Sequence, residues 1–74
     1  MLNGNEASQR REVIVMHPHC DKRETYRGDQ VYSITEKGIV IAVMSSRIFY
    51  PWSRVIQFTY HNDDVNARKV IQGY

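Results

Sequence analysis

Apolar positions in this chain come in short bursts separated by polar punctuation. Val13-Ile14-Val15-Met16 is the first burst. Three β-branched residues in a row favour a strand, and Pro18 ends it because proline lacks the ladder N–H. Residues 19–29 are polar and charged and predict a loop with a short turn of helix. Loops of that length are often functional. Val31–Ile34 predicts a short strand, and Thr35-Glu36-Lys37-Gly38 a tight turn in which Gly38 supplies positive φ. Ile39–Met44 is apolar at consecutive positions, as in a strand covered on both faces. Ser45-Ser46 turns the chain, Arg47–Tyr50 runs back, and Pro51 stops that strand or places it at an edge. Arg54–Tyr60 alternates, with Ile56, Phe58 and Tyr60 expected on one face and Val55, Gln57 and Thr59 on the other.

His61-Asn62-Asp63-Asp64 is a loop signal. Val65–Gln72 then predicts a short helix, capped by Asp63 or Asp64 and stopped by Gly73, with Ala67, Val70 and Ile71 on its apolar face. A final strand with Val70 and Gln72 alternating is the other reading of the same residues. The expected fold is mostly β: a small antiparallel meander or partly open barrel of about five strands with one short C-terminal helix. Residues 1–10 are expected to be a flexible tail and residues 11–74 a single small β domain.

Size sharpens this picture. The chain has 74 residues, so it holds one small core whose stability is marginal without a disulfide, a metal or a partner chain. Its one cysteine, Cys20, excludes a disulfide within the chain and fits a reducing compartment, hence the cytoplasm of the producing or host cell. The formal charge of +2 is modest for a dedicated duplex-binding protein. No apolar run is long enough to span a membrane, and the polar N-terminus is not expected to be a secretory signal. So short a chain fits a cell, a phage or a mobile element equally.

One segment carries a family resemblance. Residues 32–60 read YSITEKGIVIAVMSSRIFYPWSRVIQFTY. This resembles the middle of the bacterial pleckstrin-homology-like domains, where a Tyr-x-Ile-Thr strand, a glycine turn, an apolar strand and a Pro-Trp-Ser corner recur. The matching residues are Tyr32, Ile34, Thr35, Gly38, Ile39, Ile41, Pro51, Trp52, Ser53, Val55 and Phe58. The family has more strands and a longer closing helix. An SH3-like or Sm-like small barrel explains the same strand spacing with fewer residues. Both resemblances imply a binding platform without catalytic residues.

Candidate chemistry is sparse. His17, His19 and Cys20 form the most metal-like cluster, but no cysteine pair completes a zinc set, so neither a metal nor any other cofactor is expected. Cys20 beside His19 has the residue types of a nucleophile and base, but neighbours on an extended chain point apart, and no enzyme is expected. Arg47, Phe49, Tyr50, Trp52 and Arg54 are the candidate partner-binding residues. Such a mix suits a protein interface. The expected function is therefore a non-enzymatic protein-interaction module, a small regulator or inhibitor of a larger protein, with self-association open. The alternative is a nucleic-acid-binding small barrel in which the same aromatics stack on bases and the arginines neutralise phosphates. A lipid-headgroup role ranks last, for want of a concentrated basic loop. Trp52 is expected to be largely buried behind Pro51.

Overall fold

The architecture was obtained as a computed structural model and is described for residues 9–17 and 19–72. Most of the expected N-terminal tail, the strand-ending role of Pro18 and the helix-stopping role of Gly73 lie outside the described residues. The strands are β1 (Glu12–Met16), β2 (Arg23–Arg27), β3 (Val31–Ile34), β4 (Gly38–Val43), β5 (Ser46–Pro51) and β6 (Val55–Thr59), followed by helix α1 (Val65–Gln72). They form two antiparallel three-stranded sheets, ordered β2-β1-β6 and β3-β4-β5. Two 3-10 turns carry the chain between sheets, Gly28–Gln30 from β2 to β3 and Trp52–Arg54 from β5 to β6.

The expected mostly-β fold with one C-terminal helix is what forms. There are six strands because the segment read as a loop contains β2. Its sequence Arg-Glu-Thr-Tyr-Arg is polar, yet Tyr26 is buried and pairs with Val13 across from β1. One inward aromatic suffices for a strand at a sheet edge, where the other positions face water.

The core is one layer shared by the two sheets. Val13, Val15 and Tyr26 come from the first, and Val31, Ile39, Ile41 and Tyr50 from the second. The Tyr26 and Tyr50 rings lie 6.2 Å apart. The Tyr26 hydroxyl donates to Glu24. Burial, with hydrogen bonds to Glu24 and Tyr50, pushes this hydroxyl far above the ordinary tyrosine range.

Several local expectations need correction. Register slips between Ile14 and Val15: Ile14 faces Gln57, but Val15 faces Val55. The bulge at Ile56 reverses the alternation there. Val55 and Phe58 therefore pack on the core together, while Ile56 is 42% exposed. Gly38 is required by space rather than by φ. A Cβ there would collide with the Tyr50 carbonyl and lie 2.7 Å from the Pro51 Cα. Positive φ among the described glycines belongs to Gly28, at 61°. Trp52 is mostly covered, packing against the core without being fully buried. Its indole N–H donates to the Thr35 carbonyl (2.9 Å), and its ring meets Phe58 at 6.1 Å.

Helix α1 is fixed by a contact the hydropathy pattern does not reveal. Asp64 is its N-cap, accepting the Ala67 N–H at 3.2 Å. The same carboxylate accepts two hydrogen bonds from Arg11, at 2.6 and 2.9 Å, and both residues are buried. Ala67 is fully buried beneath the helix, and α1 packs against β3. Ile71, expected on the apolar face, is 45% exposed.

Burial alone would raise the Asp64 pKa. The Arg11 hydrogen bonds, the Ala67 N–H and the Arg11 charge outweigh it and hold the carboxyl below the usual aspartate range. A depressed folded pKa stabilises the fold above the unfolded pKa of about 4, and that contribution is lost as pH falls through the folded value. Urea unfolding should therefore show a stability loss below about pH 4 that Asp64→Asn lacks. Asp64→Ala, which strands a buried guanidinium, should cost about 3–5 kcal/mol at neutral pH.

Candidate functional site

The surface that stands out is the outer face and free edge of the β3-β4-β5 sheet. Strands β4 and β5 pair without interruption, from Gly38 opposite Pro51 to Val43 opposite Ser46. The connecting turn is therefore Met44-Ser45, one residue earlier than expected. Ile39, Ile41 and Tyr50 point into the core, so Val40, Ala42, Arg47 and Phe49 point outward. On β3 the register shifts between Val31 and Ser33, and this bulge leaves Tyr32 exposed.

These positions assemble an aromatic and cationic strip. Arg47 stands opposite Ala42, whose small side chain lets the guanidinium lie over the Tyr32 ring, 4.6 Å from its centroid. Phe49 stands opposite Val40, which stands opposite Ser33. Tyr32 is 60% and Phe49 51% exposed, far more than an unpartnered core aromatic would be.

Of the five residues singled out by sequence, Arg47 and Phe49 lie on this strip. Tyr50 faces the opposite way, with 3% of its surface exposed, and its ring is part of the core. Trp52 and Arg54 sit in the 3-10 turn between the sheets, Trp52 mostly covered and Arg54 exposed. Sequence reasoning missed Tyr32, Met44 and Ile48. Tyr32 joins the site through the hairpin register: the Met44-Ser45 turn, one residue earlier than expected, sets Arg47 against Ala42, one strand from Tyr32. Nothing in the hydropathy pattern marked Met44, which is 99% exposed at the hairpin tip.

Met44 has φ 54°, in the left-handed region where a side chain costs roughly 1–2 kcal/mol. Hairpin turns of this length normally use Gly, Asn or Asp there.

The other candidate cluster is less assembled. The His17 Nδ1 accepts the His19 N–H at 3.2 Å, and the two rings are 5.8 Å apart. Cys20 is exposed. Among the described residues no three His, Cys, Asp or Glu side chains converge as metal ligands. A half-open cleft of about 240 Å³ runs between α1 and β3, with Arg11, Tyr32 and Lys69 on its walls. Among the described residues no helix is long and apolar enough to cross a membrane. Comparison of the chain with protein-family models, curated proteins and solved structures finds no match.

Replacing Met44 by Asn relieves the left-handed backbone without adding the entropy of glycine. The variant should unfold about 0.5–1 kcal/mol later than the parent in urea. An unchanged or lower midpoint would mean that the Met44 side chain stabilises the free protein.

Proposed function

We propose that this chain is a non-enzymatic protein-interaction module that binds through the outer face and free edge of the β3-β4-β5 sheet, and that it acts in the cytoplasm of the cell that makes or hosts it. One observation carries this reading: Tyr32, Arg47 and Phe49 form a contiguous exposed strip on the sheet, with Ile48 exposed at its edge and Met44 at the hairpin tip. Aromatics, methionine and arginine are the residue types enriched at protein interfaces. Tyr and Arg are also the types that act as binding anchors. The Arg47 side chain is already held on Tyr32, so less rotamer freedom is lost on binding. The fold analogy runs the same way, since pleckstrin-homology-like and SH3-like domains mostly serve as binding platforms, although sites rather than folds carry function. A role as regulator or inhibitor of a larger protein suits a small domain whose exposed aromatics gather on this face.

A second reading draws on the same strip. An arginine beside exposed aromatic rings can hold a single strand, with bases stacked on Tyr32 and Phe49 and phosphate on Arg47 and Arg54. Salt separates the two. With two phosphates neutralised, single-strand binding should weaken roughly 7-fold between about 50 and 200 mM salt, whereas an apolar protein contact changes little. Titration with single-stranded and duplex oligonucleotides at both salts should show only weak binding. Tight low-salt binding that Tyr32→Ala and Phe49→Ala both abolish would reject the protein-binding reading. Charge reversal at Arg47 should slow association with a protein partner more than it speeds dissociation, as read by surface plasmon resonance.

A further inference from the structure

Among the described residues the two sheets have four outer edges, formed by β2, β6, β3 and β5. Edge strands with unpaired backbone groups invite pairing, and proteins blunt them with charges, bulges or cover. Strand β2 carries Arg23, Glu24 and Arg27. Strand β6 is bulged at Ile56, and β3 is bulged and lies against α1. Strand β5 has a single charge, Arg47, and a proline at its end, but its register against β4 is unbroken and Ser46–Phe49 are all exposed. Among the described residues it pairs with β4 alone.

Hydrogen-bond parity identifies which groups of β5 face outward. In an antiparallel pair, bonded and non-bonded positions alternate. The Trp52 N–H donates to the Lys37 carbonyl, and the Gly38 carbonyl accepts from Thr35 rather than from β5. Tyr50, Ile48 and Ser46 are therefore the residues bonded to β4. Arg47 and Phe49 turn their N–H and C=O groups to the open edge, in the spacing a further antiparallel strand requires.

We propose that β5 pairs with β5 of a second copy of this chain, antiparallel about a two-fold axis through Ile48, giving one continuous six-stranded sheet. This rests on the protein-interaction reading and names its partner. Three two-fold registers would match the open donors and acceptors, and the side chains choose among them. An axis at Arg47 sets two arginines directly opposite, which repels. An axis at Phe49 pairs Arg47 with Pro51, which has no N–H to give. An axis at Ile48 sets Arg47 against the partner's Phe49 twice over, with four backbone hydrogen bonds.

The Ile48 axis also accounts for the exposed side chains of this edge. Ile48, on the core face and 37% exposed, meets its own copy and extends both cores. Each Arg47 keeps its guanidinium on its own Tyr32 and sets its aliphatic stem beside the partner's Phe49. The strained, 99% exposed Met44 is carried to the partner's Pro51–Trp52 end. A small specific interface needs roughly 600 Å² from each protomer, about one ninth of this chain's 5299 Å² surface. Each protomer's small core gains burial it lacks alone.

Sedimentation of the pure chain over a concentration series reads the assembly directly. A monomer–dimer equilibrium is expected, and Ile48→Lys should weaken it on the order of 30-fold or more while circular dichroism stays unchanged. The register is read by cysteines in a Cys20→Ser background. Ile48→Cys places two thiols at a non-bonded pair on the axis, within disulfide reach, and should oxidise to a covalent dimer. Ser46→Cys, which would stand opposite the partner's Tyr50 and four positions along the strand from its own copy, should not. These positions are exposed, so the cysteine pair tests the idea even where Ile48→Lys disturbs folding. A strict monomer at several hundred micromolar, or equal cross-linking at 46 and 48, would overturn the proposal. A monomer whose oligonucleotide binding is tight and salt-sensitive would overturn the protein-binding reading too. A monomer without such binding would remove only the second copy as partner.

Discussion

The surface of this protein follows from the thinness of its core. One layer of side chains, from Val13 and Val15 on β1 to Ile39 and Ile41 on β4, serves both sheets. That layer can take only one face of each strand. Strand β4 is apolar at nearly every position, so its second face, with Val40 and Ala42, needs cover from elsewhere. Among the described residues helix α1 is the only remaining element of any length. Where the helix docks therefore decides which part of the outer face is shielded and which part stays bare.

Docking is decided by Arg11 and Asp64. The pair joins the residue before β1 to the residue before α1, 53 positions apart. Desolvation offsets much of the attraction in such buried pairs, so they contribute little net stability, while removing one partner is severe. Here the pair acts on placement. Asp64 caps α1 with one interaction and grips Arg11 with two others, so the helix can start only where β1 starts. This sets α1 against β3 and leaves the Arg47–Phe49 side of the sheet without a helix. An apolar pair at these positions would hold no such register.

Most strands were legible because β-branched runs and turn residues coincide in β1, β3, β4 and β5. The helix was legible because Asp64, Ala67 and Val70 fall at capping and i, i+3 spacings. What stayed hidden shares one cause, dependence on a partner distant in sequence. Strand β2 is defined by Tyr26 reaching the core beside Val13, not by its own composition. Ile56 looks inward on strict alternation and turns outward because β6 carries it as one extra residue opposite β1. The role of Arg11 cannot be read without knowing that Asp64 lies beside it. Tyr50 looks like its exposed neighbour Phe49 until the hairpin register separates the two faces. The candidate site was thus half legible: Arg47 and Phe49 were found, while Tyr32 required the fold.

That register traces back to a single strained residue. A two-residue turn at Met44-Ser45 fixes every β4–β5 pair from Val43 with Ser46 to Gly38 with Pro51. A slip by one position would exchange the two faces of β5, burying Arg47 and Phe49 and exposing Tyr50. Several observations hold the register in place. Gly38 alone admits the close approach of Tyr50 and Pro51. The Trp52 indole is tied back to Thr35 at the far end of the hairpin. The tight turn itself admits few alternatives. With both ends of the hairpin fixed, the strain at Met44 cannot relax by lengthening the loop. It is borne in order to keep Arg47 opposite Ala42, the one small side chain over which the guanidinium can reach Tyr32. The aromatic and cationic strip is therefore a consequence of turn geometry as much as of the residues that line it.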